Sequence, residues 1–201
     1  IAIFAAGTGG HIYPALSIAK EFGKENVIFI ASNRELEKKI YRDSGFEVKH
    51  LNVSGFRGKS LLEKLSWPIN SILSIFSSIF LLIKFNPSSI LLMGNYVSVV
   101  GLISSILLFK PIYIHEQNST LGSANKLSLP FAKKVFSTFK LNIKKEFNHG
   151  QPVRPDFNNI DSDLIEKEHI LVLGGSQGAS FFNKNLPNIF EILSFKIKVI
   201  F

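Results

Sequence analysis

The chain has 201 residues, with 23 Lys plus Arg against 15 Asp plus Glu, giving a formal net charge of +8 with His neutral. A composition that is 46% hydrophobic and 19% charged excludes a disordered or collagen-like chain, and zero Cys excludes a disulfide framework or a thiolate metal site. The length exceeds the ~100–150 residues of a common single domain, which predicts one full domain plus part of a second.

Short β-branched or aromatic runs alternate with helical periods, the pattern of parallel βαβ units. A strand is predicted over 1–5. It leads into Ala6-Gly7-Thr8-Gly9-Gly10-His11 and a helix over 14–22. Glycines let a backbone approach an anion, and free N–H groups at a helix start favour phosphate. His11 reads either as a base or as a polar helix cap. A strand over 27–31, a helix over 35–44 and a strand over 46–51 follow. Gly55-Phe56-Arg57-Gly58-Lys59 then sets two cations between glycines, as a diphosphate clamp or a solvated turn.

The next helix is predicted over 61–83. From 65 to 109 the only charge is Lys84, so a membrane span has to be weighed. Pro68, Asn70 and several serines interrupt the first half, leaving pieces shorter than the ~20 residues that a spanning helix needs. Ser71, Ser74 and Ser78 fall on one helical face, which predicts an amphipathic crossover helix buried against the sheet. An apolar surplus resting on a membrane is the alternative.

A strand over 89–93 opens Gly94-Asn95-Tyr96-Val97-Ser98 and a helix over 97–109. A strand over 112–115 ends in His115-Glu116-Gln117-Asn118-Ser119, five polar residues that are costly to bury without partners or a crevice. After a strand over 135–138, the domain boundary is expected at 150–155, where two prolines coincide with a charge shift. Residues 1–150 carry +9 and residues 151–201 carry −1. The second domain repeats the opening, with a strand over 169–173, Gly174-Gly175-Ser176-Gln177-Gly178-Ala179 and a helix over 181–193; a final strand over 197–201 and the apolar start read as cut ends.

Neither Gly-rich loop is a Walker A loop, because no Gly-Lys-Ser/Thr follows, and the third spaced Gly and ribose-binding acid of a nicotinamide fingerprint are missing. Asp161-Ser162-Asp163 has the form of a metal-holding DxD element but sits in a polar stretch and reads as a solvated helix start. No metal site and no cofactor are expected. The basic first domain points to a phosphate-bearing, nucleic-acid or anionic-membrane partner, although codon bias toward Lys explains the charge as well. The absence of a recognised motif argues against nucleic acid.

Six segments in this order and spacing resemble the MurG family of peptidoglycan N-acetylglucosaminyltransferases: 6–19, 55–60, 94–98, 115–127, 150–157 and 174–183. The resemblance implies an α/β fold with two Rossmann-like doubly wound parallel sheets in a GT-B architecture, an N-terminal acceptor and membrane domain (1–150) and the start of a nucleotide-sugar domain (151–201). It implies transfer of GlcNAc from UDP-GlcNAc to the C4 hydroxyl of MurNAc in lipid I, with inversion, at the cytoplasmic face of the plasma membrane. The positions implied to bind UDP-GlcNAc are Thr8, Gly9, Gly10, Asn118, Arg154, Ser176, Gln177 and Asn183. Those implied to receive the acceptor diphosphate are Gly7, Gly94, Tyr96 and Ser98. His11 is the candidate base and Glu116 the runner-up. Ala6 and Asn95 stand where the family usually has Gly, and Val99-Val100 where it has a Gly/Pro-rich run, which bears on how closely a diphosphate approaches the second loop. The uracil- and ribose-gripping residues are expected beyond Phe201. A 2-epimerase-like protein or a non-catalytic membrane-recruiting subunit are the alternatives.

Overall fold

Six of the predicted apolar runs become the strands β1 (Ala2–Phe4), β2 (Ile28–Ser32), β3 (Glu47–Leu51), β4 (Ile90–Leu92), β5 (Ile112–Glu116) and β6 (Ala132–Ser137). They are joined by an unanticipated edge strand, β7 (Glu146–Asn148), whose three residues are too few to leave a periodic signal. These strands come from a computed structural model that describes residues 1–55, 61–153 and 180–193. The chain divides into two units, Ile1–Pro155 and Asp156–Phe201.

In the first unit the strands pair in the order β3-β2-β1-β4-β5-β6-β7, all parallel. Successive side chains point to opposite faces, so one strand feeds two cores. Ala2, Phe4, Ile28, Ile30, Ile90 and Leu92 pack on one face with Leu82 of α3 (Leu61–Phe85) and Val97 and Val100 of α4 (Tyr96–Leu107). Ile3, Phe29, Ala31 and Leu91 pack on the other with Ile12, Ala15 and Leu16 of α1 (Gly9–Phe22) and Tyr41 of α2 (Glu35–Ser44). The chain winds outward from β1 to β3 over one face, then returns through α3 to place β4 on the other side of β1. The switch point where ligands bind in such sheets therefore lies between β1 and β4. A short helix, α5 (Ser123–Ser128), leads to β6. In the second unit the described element is α6 (Ser180–Leu193).

Two expectations are corrected. Helix α1 begins at Gly9, not at Pro14, so His11 is its third residue rather than part of a loop. Pro14 removes only the N–H that would reach Gly10 and leaves the rest of the helix intact. Helix α3 runs unbroken through Pro68 to Phe85, and its segment Trp67–Phe85 is long and apolar enough to cross a membrane by length and composition. Its orientation is the reverse of an ordinary amphipathic helix. Ser74, Ser78 and Leu82 are buried, while Ile69, Ile72, Leu73, Phe76, Phe80 and Ile83 are exposed. The small serines let α3 approach α4 closely, and the Ser104 hydroxyl of α4 reaches across to the Ile75 carbonyl at 3.5 Å.

Candidate functional site at the carboxyl edge of the sheet

The loops after β1, β4 and β5 meet at the switch point. Gly7 (φ +96°) and Gly94 (φ +91°) turn the chain into α1 and α4 through a left-handed conformation that side-chain-bearing residues rarely adopt. At Gly94 there is a second constraint, because a Cβ would stand 2.7 Å from Nδ2 of Asn125.

The two helix starts differ. At α4, Asn95 accepts the Val97 N–H at 3.0 Å and caps the helix, while its own amide donates to the Ala6 carbonyl at 2.5 Å. At α1, the N-cap residue Thr8 makes no side-chain capping bond. The N–H groups of Gly9 and Gly10 have no intrahelical acceptor, so they and the Thr8 hydroxyl form a cluster of donors at the positive end of the helix dipole. Gly9 is half-buried and Gly10 exposed.

Of the four residues expected to receive a diphosphate, the Gly7 and Gly94 N–H groups and the Tyr96 and Ser98 hydroxyls are turned inward. The Gly7 N–H donates to Glu37 at 2.8 Å, and the Gly94 N–H donates to the Ser98 hydroxyl at 3.0 Å. Ser98 is fully buried and its hydroxyl faces the Phe4 carbonyl at 3.4 Å. Tyr96 is half-buried, with its hydroxyl 2.8 Å from Ser32 Oγ and 3.3 Å from Glu37 Oε1. Thr8, Gly9 and Gly10 thus form one cluster of anion donors at this edge.

His11 is half-buried beside this cluster, with Nδ1 2.6 Å from the Gln117 amide nitrogen. Burial lowers its pKa below the usual 6.5, against raising contributions from a hydrogen bond with the Met93 backbone, the Glu116 charge and Gln117. The ring is therefore neutral at pH 7. His115, on the α1 face of β5, is 2% exposed and is pushed down to about 4 chiefly by burial.

Glu116 points to the opposite face and is 1% exposed. Its Oε1 accepts the N–H and side-chain amide of Asn118 at 3.0 and 2.8 Å. Its Oε2 accepts the Gly122 N–H at 2.8 Å and the Asn125 amide at 2.9 Å. Four donors occupy both oxygens, so no lone pair is left to take a proton from a ligand. Glu116 is the clasp of the 117–122 loop and holds Asn118 in place at its exposed rim. This geometry argues against the runner-up base role.

Arg57 and Lys59 of the second Gly-rich loop, together with Arg154, Asp161, Asp163, Ser176 and Gln177, lie outside the described residues, as do the strands expected over 169–173 and 197–201. Asn183 lies on α6. Among the described residues no group of three His, Asp or Glu could hold a metal ion. Sequence reasoning missed Glu37, Ser32 and Asn125. For Glu37 the available signal was its place one turn before Tyr41, on the inward stripe of α2.

Residues 1–137 match the model of the glycosyltransferase family 28 N-terminal domain. A relative from Buchnera aphidicola subsp. Baizongia pistaciae is 38% identical over 99% of this chain and 59% of its own length. It is named UDP-N-acetylglucosamine–N-acetylmuramyl-(pentapeptide) pyrophosphoryl-undecaprenol N-acetylglucosamine transferase. A relative of the same name from Nitrosococcus oceani is 33% identical over 98% of this chain and 58% of its own. The crystal structure of Acinetobacter baumannii MurG is similar at a TM-score of 0.76 with 27% identity, over 98% of this chain and 59% of that one. The chain thus spans a little under three fifths of the relatives it matches. The parallel α/β sheet, the family match and the likeness to MurG all fit a GT-B glycosyltransferase. With its doubly wound sheet and its Gly-rich turns at the switch point, the chain belongs to glycosyltransferase family 28, and it matches MurG enzymes over nearly its whole length.

Proposed function

We propose that this chain supplies the acceptor-binding part of an inverting transferase that moves GlcNAc from UDP-GlcNAc to the C4 hydroxyl of MurNAc in lipid I, forming lipid II. The identity of the two substrates is taken from the names of its relatives. The geometric observation that carries the reading is the uncapped start of α1, set at the switch point between His11 and the clasped Asn118. Helix N–H groups and dipole there meet diphosphate charge, so the reading requires no metal. His11, neutral at pH 7, is the base that takes the acceptor proton, and for this it must release the Gln117 amide from Nδ1. Arg154, Ser176, Gln177 and Asn183 stand at further donor-binding positions of the family in this reading.

The same proposal places the protein peripherally on the anionic cytoplasmic membrane surface. Six exposed apolar residues of α3 form one face, and Phe109, 94% exposed, stands on the turn after α4. The Lys110 ammonium, bonded to Asn86 Oδ1 at 2.7 Å, ties that turn to the end of α3 and brings positive charge to the patch. Because α3 is the β3–β4 crossover and buries its serine face against the sheet unit, it can lie on a bilayer but cannot leave the fold to span one. Transfer of labelled GlcNAc from UDP-GlcNAc to a short-chain lipid I analogue by the full-length protein tests the reading, and a full-length protein that makes no disaccharide product would overturn it.

A further inference from the structure

Glu37 is fully buried at the centre of a polar cluster that none of the roles above uses. Its Oε1 accepts the Gly7 N–H at 2.8 Å and the Ser32 hydroxyl at 2.7 Å, and its Oε2 accepts the Ser32 N–H at 3.0 Å. The Tyr96 hydroxyl completes the cluster, 2.8 Å from Ser32 Oγ and 3.3 Å from Glu37 Oε1. Both carboxylate oxygens face backbone N–H groups, which can only donate, so the carboxylate acts as the acceptor.

This fixes where the Tyr96 proton goes. If the Ser32 hydroxyl donates to Glu37, Tyr96 donates to Ser32 Oγ. If Ser32 instead donates to Tyr96, Tyr96 donates to Glu37. In both arrangements the phenolic proton is held within the cluster, so what the hydroxyl of the half-buried Tyr96 still has to offer a ligand is a lone pair. A diphosphate at neutral pH offers acceptors alone, and meeting that lone pair would be repulsive. The Arg34 guanidinium, 5.9 Å from the Tyr96 ring, contacts the ring and leaves the polarity of the hydroxyl unchanged.

We propose that Tyr96 accepts a hydrogen bond from a hydroxyl or amide N–H of the bound acceptor's sugar or peptide part, and that Glu37 is the positioning residue that sets this polarity. The inference rests on the transferase reading and deepens it. Tyr96 becomes a specificity residue for a hydrogen-bond donor on the acceptor rather than a ligand of its phosphates.

The test is the affinity of the full-length protein for a short-chain lipid I analogue, read by calorimetry so that it does not depend on turnover. Tyr96→Phe should weaken binding about five- to tenfold, the loss of one hydrogen bond, and inorganic pyrophosphate should compete as well against this variant as against wild type. Glu37→Gln sets an amide NH2 in the place of Oε1 or Oε2, at the cost of the Gly7 or the Ser32 N–H bond, and from the Oε1 place it donates to Ser32 Oγ and lets the Tyr96 proton turn outward. It should weaken binding at least as much, and adding Tyr96→Phe to it should cost nothing further. Unchanged affinity in Tyr96→Phe, weaker pyrophosphate competition in it, or tighter binding in Glu37→Gln would each overturn the proposal alone. A wild-type protein that does not bind the analogue overturns it together with the reading beneath it.

Discussion

The side-chain amide of Asn95 donates to the carbonyl of Ala6 at 2.5 Å and so staples the turn after β4 to the turn after β1. The backbone of Asn95 lies at φ −117°, where no glycine is required, and its side chain is spent on the Ala6 carbonyl and the Val97 N–H rather than directed into the crevice. The departure from the family's glycine at Asn95 is therefore absorbed by bonds within the protein. Asn95→Ala removes both the cap and the staple and should lower stability by about 2 kcal/mol. Asn95→Asp keeps the cap, loses the staple and should cost about half as much. Thermal unfolding of the two variants checks this, and an Asn95→Ala protein as stable as wild type would show that the staple contributes nothing.

His11 and Glu116 make opposite kinetic predictions. If His11 is the base, as proposed, His11→Ala should lower kcat by roughly 10²–10⁴. As a clasp, Glu116 acts through Asn118, so Glu116→Gln should raise the KM for UDP-GlcNAc with a smaller change in kcat. It keeps an acceptor for one pair of donors and loses the other. Steady-state kinetics in both substrates separates the cases. A Glu116→Gln enzyme with a collapsed kcat and an unchanged KM would favour Glu116, the runner-up, as the base.

Much of the fold was legible in the sequence because strand and helix periods carry it. The six apolar runs in the described part became strands, and the Gly-rich turns fell at strand ends as their composition implied. Polarity of contact was not legible. Ser71, Ser74 and Ser78 share a face in the sequence, but whether that face turns in or out depends on how closely α3 must approach α4, which is a property of the packing. The same holds for Glu37. A carboxylate in a charged helix reads as solvated until the Gly7 turn, Ser32 and Tyr96 converge on it from three other elements. Periodicity also could not tell that the Gly7 and Gly94 N–H groups and the Tyr96 and Ser98 hydroxyls are committed within the protein.

The outward apolar face of α3 makes a prediction with two independent readouts. Phe76 and Phe80 are each about two thirds exposed, so replacing both by Ser should change folding stability by no more than about 0.5 kcal/mol per site. If the face rests on lipid, burial of two phenylalanine side chains is lost, and binding to anionic vesicles should fall at least about tenfold. Co-sedimentation of the full-length protein with phosphatidylglycerol-containing vesicles at low salt measures it. Wild-type-like pelleting of the double variant would remove α3 from the membrane contact.

The buried histidines predict how stability depends on pH. His115 is 2% exposed, and burial pushes its folded pKa to about 4. In the unfolded chain the same group titrates near its ordinary 6.5. Above about pH 6.5 both states hold it neutral and it leaves stability unaffected. As pH falls from 6.5 toward 4 the unfolded state takes up a proton that the folded state refuses, so stability declines, by up to about 3 kcal/mol for this group. His11, whose pKa is lowered mainly by burial as well, adds to the same acid-side loss. Denaturant unfolding of the full-length protein at a series of pH values should therefore show a slope below pH 6.5 that His115→Phe flattens. A His115→Phe slope identical to that of wild type would mean that His115 is not the group whose protonation opposes the fold.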